Sequence, residues 1–326
     1  MHQILNCIDA GSEYCPCYLA AAGECIMCSQ LQGKTFCDCN SWKGVCVYQE
    51  YILNRSQIKE CRNASVCQIV SKEMISSTAY LLTILVGRKM ARELSQPGSY
   101  VFVRNLEEPA YFDTPLSVMT ACEQEEYIVV AVQTRGVKTK ALGKTGDQVY
   151  IRGPYHNGLL GLKYLLELRN QRALIIARGI SQAPALPVAR KLVLAGNKVD
   201  VILDPGRVGC NFTESAFRDL GCNIILSDVF SLHTLTITEN ALEIVKDYLT
   251  TNKIKLLYCA GPERLYAEIC HLINHLCPEV YFTCANDIVL CCGEGICGSC
   301  HTRLKDGKRV KICKTQLNPM EIFEGR

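Results

Sequence analysis

Cysteine constrains this chain most: there are 22 in 326 residues, against 11 prolines, 8 phenylalanines and one tryptophan. They are not spread evenly. Ten fall within residues 7–67, one lies at 122, and eleven lie within 210–313. The opening MHQILNC has no basic segment followed by a long apolar run, so no secretory leader is read there. No stretch approaches 18 consecutive apolar residues, so no membrane-spanning helix is expected. The expected location is therefore the cytoplasm, where disulfides are rare and patterned cysteines more often bind metal.

Composition narrows the class. Hydrophobic residues make up 48% and charged residues 21%, which excludes wholesale disorder. A net charge of +3 is too mild for nucleic acid to be the main partner. Four segments are expected. Residues 1–60 form a loop-rich cysteine unit with few apolar residues left for a core. Residues 61–153 carry short β-rich runs (Ala79–Val86, Tyr100–Val103, Tyr127–Gln133) and turn signals such as Pro97-Gly98, which read as a small antiparallel barrel. Residues 154–285 alternate apolar runs (Ala173–Ala177, Val199–Leu203, Asn223–Leu226, Lys255–Ala260, Val280–Thr283) with helical stretches near 184–195 and 263–276. That alternation implies an α/β domain with a parallel sheet. Residues 286–326 are a tail dense in Cys, Gly and basic residues.

The tail carries the sharpest motif. Cys292, Cys297 and Cys300 follow C-x4-C-x2-C, the plant-type [2Fe–2S] spacing, and Cys313 supplies a fourth thiol. A loop wrapping a flat cluster must turn sharply and aim amide N–H groups at sulfur, and Gly293, Gly295 and Gly298 permit that backbone. A structural zinc site and unliganded thiols are the competing readings. Cys291 is expected to be a buried thiol outside the ligand set. The same stretch also matches G-x-G-x-x-G, but no helix is expected to open there, so a dinucleotide fingerprint is rejected.

At the other end, Cys15, Cys17, Cys25, Cys28, Cys37, Cys39 and Cys46 supply seven thiols, with Cys7 an eighth. C-x-C and C-x2-C pairs place two sulfurs within reach of one metal. Zinc, an Fe–S cluster and disulfides all remain open here. The isolated Trp42 is read as core for this unit. Cys122, Cys210, Cys222, Cys270, Cys277 and Cys284 read as small buried apolar residues.

A barrel, an α/β domain and an Fe–S loop in this order resemble the electron-transfer subunit of dihydroorotate dehydrogenase type B. That subunit and the small subunits of sulfide dehydrogenase and of NADH-dependent ferredoxin:NADP oxidoreductase belong to the ferredoxin reductase-like superfamily. The resemblance covers about residues 68–320. Pro97-Gly98-Ser99-Tyr100-Val101-Phe102-Val103-Arg104 resembles the family's P-G-Q-F-V-x-x-R strand. Thr114-Pro115-Leu116-Ser117 stands at its R-P-x-S flavin motif. Gly136-Val137-Lys138-Thr139 resembles the turn that holds the FAD pyrophosphate. The Gly153–Gly158 stretch resembles the G-P-x-G-N-G junction. Cys259-Ala260-Gly261-Pro262-Glu263 resembles the C-G-P motif near the nicotinamide.

The resemblance implies an electron-transfer flavoprotein with FAD on the barrel, NAD(P) at the α/β domain and [2Fe–2S] in the tail. Ser117 would sit near the reactive flavin edge. Gly136, Lys138 and Thr139 would hold the pyrophosphate, and Gly179, Gly261, Pro262 and Glu263 would line the nicotinamide side. The implied partners are a catalytic oxidoreductase subunit in a hetero-oligomer and a ferredoxin-like carrier. The basic residues Arg303, Lys305, Lys308, Arg309, Lys311 and Lys314 are either a landing patch for that carrier or a solvated hairpin.

Two departures matter. Thr114 replaces the family's arginine and cannot offer its bidentate charge; Lys138 and Lys140 either compensate, since a phosphate tolerates point charges, or are solvated turn lysines. The loop Ala177-Arg178-Gly179-Ile180-Ser181 keeps one glycine where the family writes G-G-G-I-G. Arg178 either fills the nucleotide space or meets a phosphate itself. These departures favour an alternative: a non-enzymatic Fe–S relay or docking subunit that has lost NAD(P) binding, with FAD either kept or lost.

Overall fold

The computed structural model describes residues 6–37, 44–287 and 290–324. The chain divides into two compact units. One comprises Met1–Ala64 with Ile288–Leu317, and the other comprises Ser65–Asp287 with Asn318–Arg326. The two cysteine-rich ends, far apart in sequence, thus form one body. Trp42 and Cys39 lie outside the described residues.

The first unit has little regular structure. Strand β1 (Asn6–Cys7) pairs antiparallel with Thr315–Gln316. A hairpin joins His301–Arg303 to Arg309–Lys311, burying Thr302 and Val310 on its inner face. Two short helices span Tyr18–Ala21 and Val47–Leu53. A small core gathers Cys15, Ala20, Cys25, Cys28, Leu31 and Val47, half of them thiols.

The second unit begins with the barrel. Its strands are β2 (Ala64–Ser76), β3 (Ala79–Leu85), β4 (Tyr100–Asn105), β5 (Thr114–Cys122), β6 (Tyr127–Gln133) and β7 (Gln148–Tyr155), closed in the order β2-β3-β6-β5-β4-β7. Alternating residues such as Leu82, Ile84, Val101, Val103, Ile128, Val130 and Val132 fill the interior, as a period of two on a closed sheet requires. The 13-residue β2 is a barrel strand that the sequence reading did not mark; it is mostly exposed, so it lacks a clear apolar alternation.

The sheet follows. It consists of β8 (Leu159–Leu160), β9 (Arg172–Arg178), β10 (Lys198–Asp204), β11 (Asn223–Leu226), β14 (Leu256–Ala260) and β15 (Tyr281–Ala285), with a hairpin of β12 (Phe230–Ser231) and β13 (Thr236–Ile237) between. The order is β11-β10-β9-β14-β15-β8, parallel except for β8 at the edge. Helices Gln182–Leu194 and Glu263–Leu276 stand where expected, and Gly196 follows the first at φ +78°. Chain order reverses between β9 and β14, so the crevice beyond their carboxyl ends is the place where such sheets bind ligands. Gly98 (φ +80°) and Gly158 lock barrel to sheet: Gly158 N–H donates to the Gly98 carbonyl at 2.8 Å, and a Cβ on Gly158 would meet that oxygen at 2.7 Å.

Burial corrects several cysteine expectations. Cys222, Cys270 and Cys284 are buried, but Cys122, Cys210 and Cys277 are only half-buried, and Cys291 is exposed. Cys122 ends a barrel strand, Cys210 sits in the loop after β10, and Cys277 follows a helix, so none reaches a core.

Candidate cofactor sites

The tail turns as a cluster loop should. Gly293, Gly295 and Gly298 adopt φ of +72°, +75° and +78°, a region that ordinary side chains rarely adopt. Turns and bends, not a helix, run through this stretch. The sequence brings the sulfurs together two and two. The amides of Glu294 and Cys297 point at Cys292 Sγ from 3.3 and 3.5 Å, and the Cys292 thiol bonds Cys297. Cys300 Sγ lies 3.2 Å from Cys313 Sγ. Burial pushes Cys297 up, but hydrogen bonds from Ser299 and Cys292 outweigh it and hold the thiol at about 7. The Cys313 hydrogen bond holds Cys300 at about 6 against burial, while Cys313 is pushed up by that same bond.

Two thiol pairs suit a two-iron cluster, which takes two thiolates per iron. One zinc ion asks for sulfurs converging on a point.

In the N-terminal unit, Cys15, Cys25 and Cys28 share the small core, Cys17 and Cys46 are half-buried, and Cys37 is exposed. Burial pushes Cys25 up to about 11, although the amides of Met27 and Cys28 donate to its sulfur. Burial also raises Cys15, against an amide hydrogen bond from Gly11. N–H groups aimed at sulfur are what metal-bound thiolates accept.

On the barrel, Thr114, Pro115, Leu116 and Ser117 lie along β5 opposite Val103, Phe102, Val101 and Tyr100 of β4. Thr114 is buried and donates to the Phe112 carbonyl at 3.0 Å, so its hydroxyl is spent on its own backbone. Pro115 and Ser117 are half-exposed. Just before them, Asp113 is gripped by Arg104 and Arg152, both at 3.0 Å, and Lys138 Nζ donates to the Asp113 carbonyl at 3.0 Å. The sequence reading missed Asp113 and Arg152 because their pairing crosses strands. Thr139 caps the turn by accepting the Arg135 and Gly136 amides at 2.9 and 3.1 Å. A Cβ on Gly136 would meet nothing within 4 Å, so the space over the turn is open. Desolvation lowers Arg135, and Arg207 and Arg178 lower it further. Arg135 and Arg207 thus crowd each other beside the turn, which suits an anionic group, while the Arg178 charge is already met by Asp204.

In the crevice, Gly179 (φ +57°) approaches Gly206, and a Cβ on Gly261 would meet Arg178 Cβ at 3.6 Å. Pro262 opens the Glu263–Leu276 helix, and Glu263 lines a cavity of about 580 Å³ with Ile237, His271 and Phe323. Arg178 does not reach into open space. Its Nε donates to Asp204 at 2.8 Å and its Nη2 to the Phe230 carbonyl at 3.3 Å. Asp204 also accepts the Val229, Phe230 and Gly206 amides. The acidic group at the end of the second strand, which in dinucleotide sites meets a ribose, is already satisfied. These residues do not fit a nicotinamide dinucleotide held in the usual manner.

The basic run is smaller than its sequence suggests. Lys314 is buried between Asp9 and Glu294, and Lys311 pairs with Glu24. Asp9 and Glu24 lie some 300 residues upstream in sequence, so no local reading finds them. Arg303, Lys305, Lys308 and Arg309 remain exposed.

A closed six-stranded barrel followed by this sheet is the ferredoxin reductase-like fold. Its solved examples include a chain of the NADH-dependent reduced ferredoxin–NADP oxidoreductase (TM-score 0.63, 19% identity, covering 80% of this chain and 90% of that one). Phthalate dioxygenase reductase, a modular structure for electron transfer from pyridine nucleotides to [2Fe–2S], matches at TM-score 0.50 and 17% identity, covering 78% and 95%. The chain is similar to the dihydroorotate dehydrogenase B (NAD(+)) electron transfer subunit of Shouchella clausii, 25% identical over 257 residues, 75% of this chain and 92% of the relative. The probable counterpart in Methanocella arvoryzae is 26% identical over 187 residues, 57% and 67%. No family model matches. The resemblance drawn from the motifs is borne out. No helix among the described residues is long and apolar enough to cross a membrane.

Proposed function

We propose that this chain is an electron-transfer iron–sulfur flavoprotein that passes electrons between a nicotinamide or a redox partner, an FAD on the barrel, and a [2Fe–2S] cluster in the tail. The observation that carries the reading is the two-and-two pairing of Cys292/Cys297 and Cys300/Cys313 in a glycine-turned loop. When bound, the flavin splits a two-electron transfer into single electrons that the cluster carries. The protein's own part is positional. Glu294 and Cys297 aim amides at sulfur; Ser117, half-exposed between the buried Leu116 and Val118, would sit on the flavin side of β5, and Gly136, Lys138 and Thr139 with Arg135 would form the anion end. The reading extends to a catalytic oxidoreductase subunit as partner, a hetero-oligomeric state and a cytoplasmic location. The N-terminal thiols Cys15, Cys17, Cys25, Cys28, Cys37, Cys39 and Cys46 supply a second metal centre, Fe–S or zinc.

The Arg178–Asp204 pair favours a second reading for the α/β domain, in which the chain takes electrons from a partner and not directly from NAD(P)H. Iron, sulfide, zinc and flavin counted per chain after anaerobic purification test the whole assignment. Two irons and two sulfides with one FAD are the minimum expected. A flavin-free, iron-free protein overturns it.

A further inference from the structure

Four charged side chains meet in the interior of the cysteine-rich unit. Arg62 donates twice to Asp9, at 2.8 and 3.2 Å, and reaches both Glu294 oxygens at 3.3 Å. Lys314 Nζ lies 2.5 Å from Asp9 and 2.6 Å from Glu294. Arg62 and Lys314 are each 1% exposed and Asp9 4%. The Tyr14 ring covers the Arg62 guanidinium at 3.8 Å. Two positive and two negative groups therefore meet with three of the four buried and only Glu294 partly exposed, at 20%, and burying such charges is costly unless every member is paired.

The network's position in sequence gives it meaning. Glu294 stands between Cys292 and Cys297, and its own amide donates to Cys292 Sγ at 3.3 Å. Lys314 follows Cys313 directly, and its carbonyl accepts the Ile8 amide at 2.8 Å where β1 pairs with the tail. Asp9 and Arg62 come from the N-terminal segment. One end of the chain thus holds both arms of the cluster loop by charge.

We propose that Asp9, Arg62, Glu294 and Lys314 are the positioning residues of the [2Fe–2S] loop, and that their charge balance sets the cluster's reduction potential. The inference rests on the assignment of that cluster to Cys292, Cys297, Cys300 and Cys313. Reduction adds one negative charge to the cluster. A nearby positive charge favours the reduced form and a negative one opposes it, the more so in a medium of low dielectric constant. The amide of Glu294 acts in the same sense, because its hydrogen bond stabilises added charge on sulfur.

The test is an EPR-monitored redox titration of the full chain with iron and sulfide counted in each sample. Asp9→Asn should raise the midpoint potential and Lys314→Met should lower it, each changing the reduced-to-oxidised ratio at fixed potential by threefold or more. The double variant, neutral again, should return towards wild type. If a single variant loses its iron, Glu294→Gln, whose carboxylate is the most exposed of the four, should raise the potential while Lys314→Arg leaves it unmoved. Loaded variants that shift in one common direction, or not at all, overturn the proposal. A wild-type chain without an EPR-active cluster overturns the cluster assignment instead, and iron content separates the two failures.

Discussion

Arg178 and Asp204 form an ion pair across the carboxyl ends of β9 and β10, 2.8 Å apart, with the Asp204 side chain 2% exposed. A fold that normally opens this corner to a dinucleotide has closed it with its own side chains. NADH should therefore reduce the isolated chain slowly or not at all in a stopped-flow trace, and NADH should leave its melting temperature unchanged. Rapid flavin bleaching on mixing would show that the pair opens.

Cys297→Ser should abolish the [2Fe–2S] EPR signal of the reduced protein while flavin content and the circular dichroism of the β-rich unit persist. The two units are compact bodies in their own right, so losing one ligand in the first should leave the second folded. An unchanged spectrum would falsify the ligand assignment.

Lys138→Ala should weaken FAD retention. Its ammonium donates to the Asp113 carbonyl, immediately before the position where Thr114 stands in place of an arginine. A charge-assisted contact to phosphate is worth about 1–3 kcal/mol, on the order of 10- to 100-fold in affinity. Fluorescence of released flavin against dilution measures it, and equal retention by both proteins would remove Lys138 from the site.

Acid should dissolve the buried charge network in a defined window. Burial pushes the Asp9 carboxyl up, but Lys314 and Arg62 more than offset this and hold it at about 2. The folded value lies below the unfolded one, so the contribution is full above about pH 4 and is lost as pH falls towards 2. It amounts to about 2 kcal/mol. The gap in urea midpoint between wild type and Asp9→Asn, followed by circular dichroism, should stay constant from pH 8 to 5 and close below pH 4.

Electron transfer to an acidic carrier should slow as salt rises, since Arg303, Lys305, Lys308 and Arg309 remain exposed on the hairpin next to Cys300 and Cys313. Screening acts over about 8 Å at physiological ionic strength. Reversing Lys308 and Arg309 to Glu should lower the second-order rate and flatten its salt dependence with the EPR signal intact. Rates indifferent to both changes return these residues to a solvated loop.

Much of the fold was legible because its signals are local. The apolar runs at Ala173–Ala177 and Val199–Leu203 sit within the observed strands, and Gly196 ends a helix as its freedom of φ suggests. The C-x4-C-x2-C spacing marked thiols that do pair. What stayed hidden is long-range. Nothing around Lys314 announces that Asp9 neutralises it, and nothing around Arg178 announces Asp204. Each looked like a free cation because its partner arrives only through topology. The strand β2 stayed hidden for the opposite reason: its exposed face leaves its pattern too weak to read.

The discontinuity of the cysteine-rich body has a consequence for its biogenesis. Its first 64 residues leave the ribosome before the whole barrel and sheet, while Glu294, Cys313 and Lys314 come near the end. At roughly 5–20 residues per second, the early thiols wait on the order of 13–60 s for the strand and the charges that complete their body. The nascent N-terminal segment, rich in thiols and short of core, is the stage at which a thiol-protecting or metal-delivering factor has most to do.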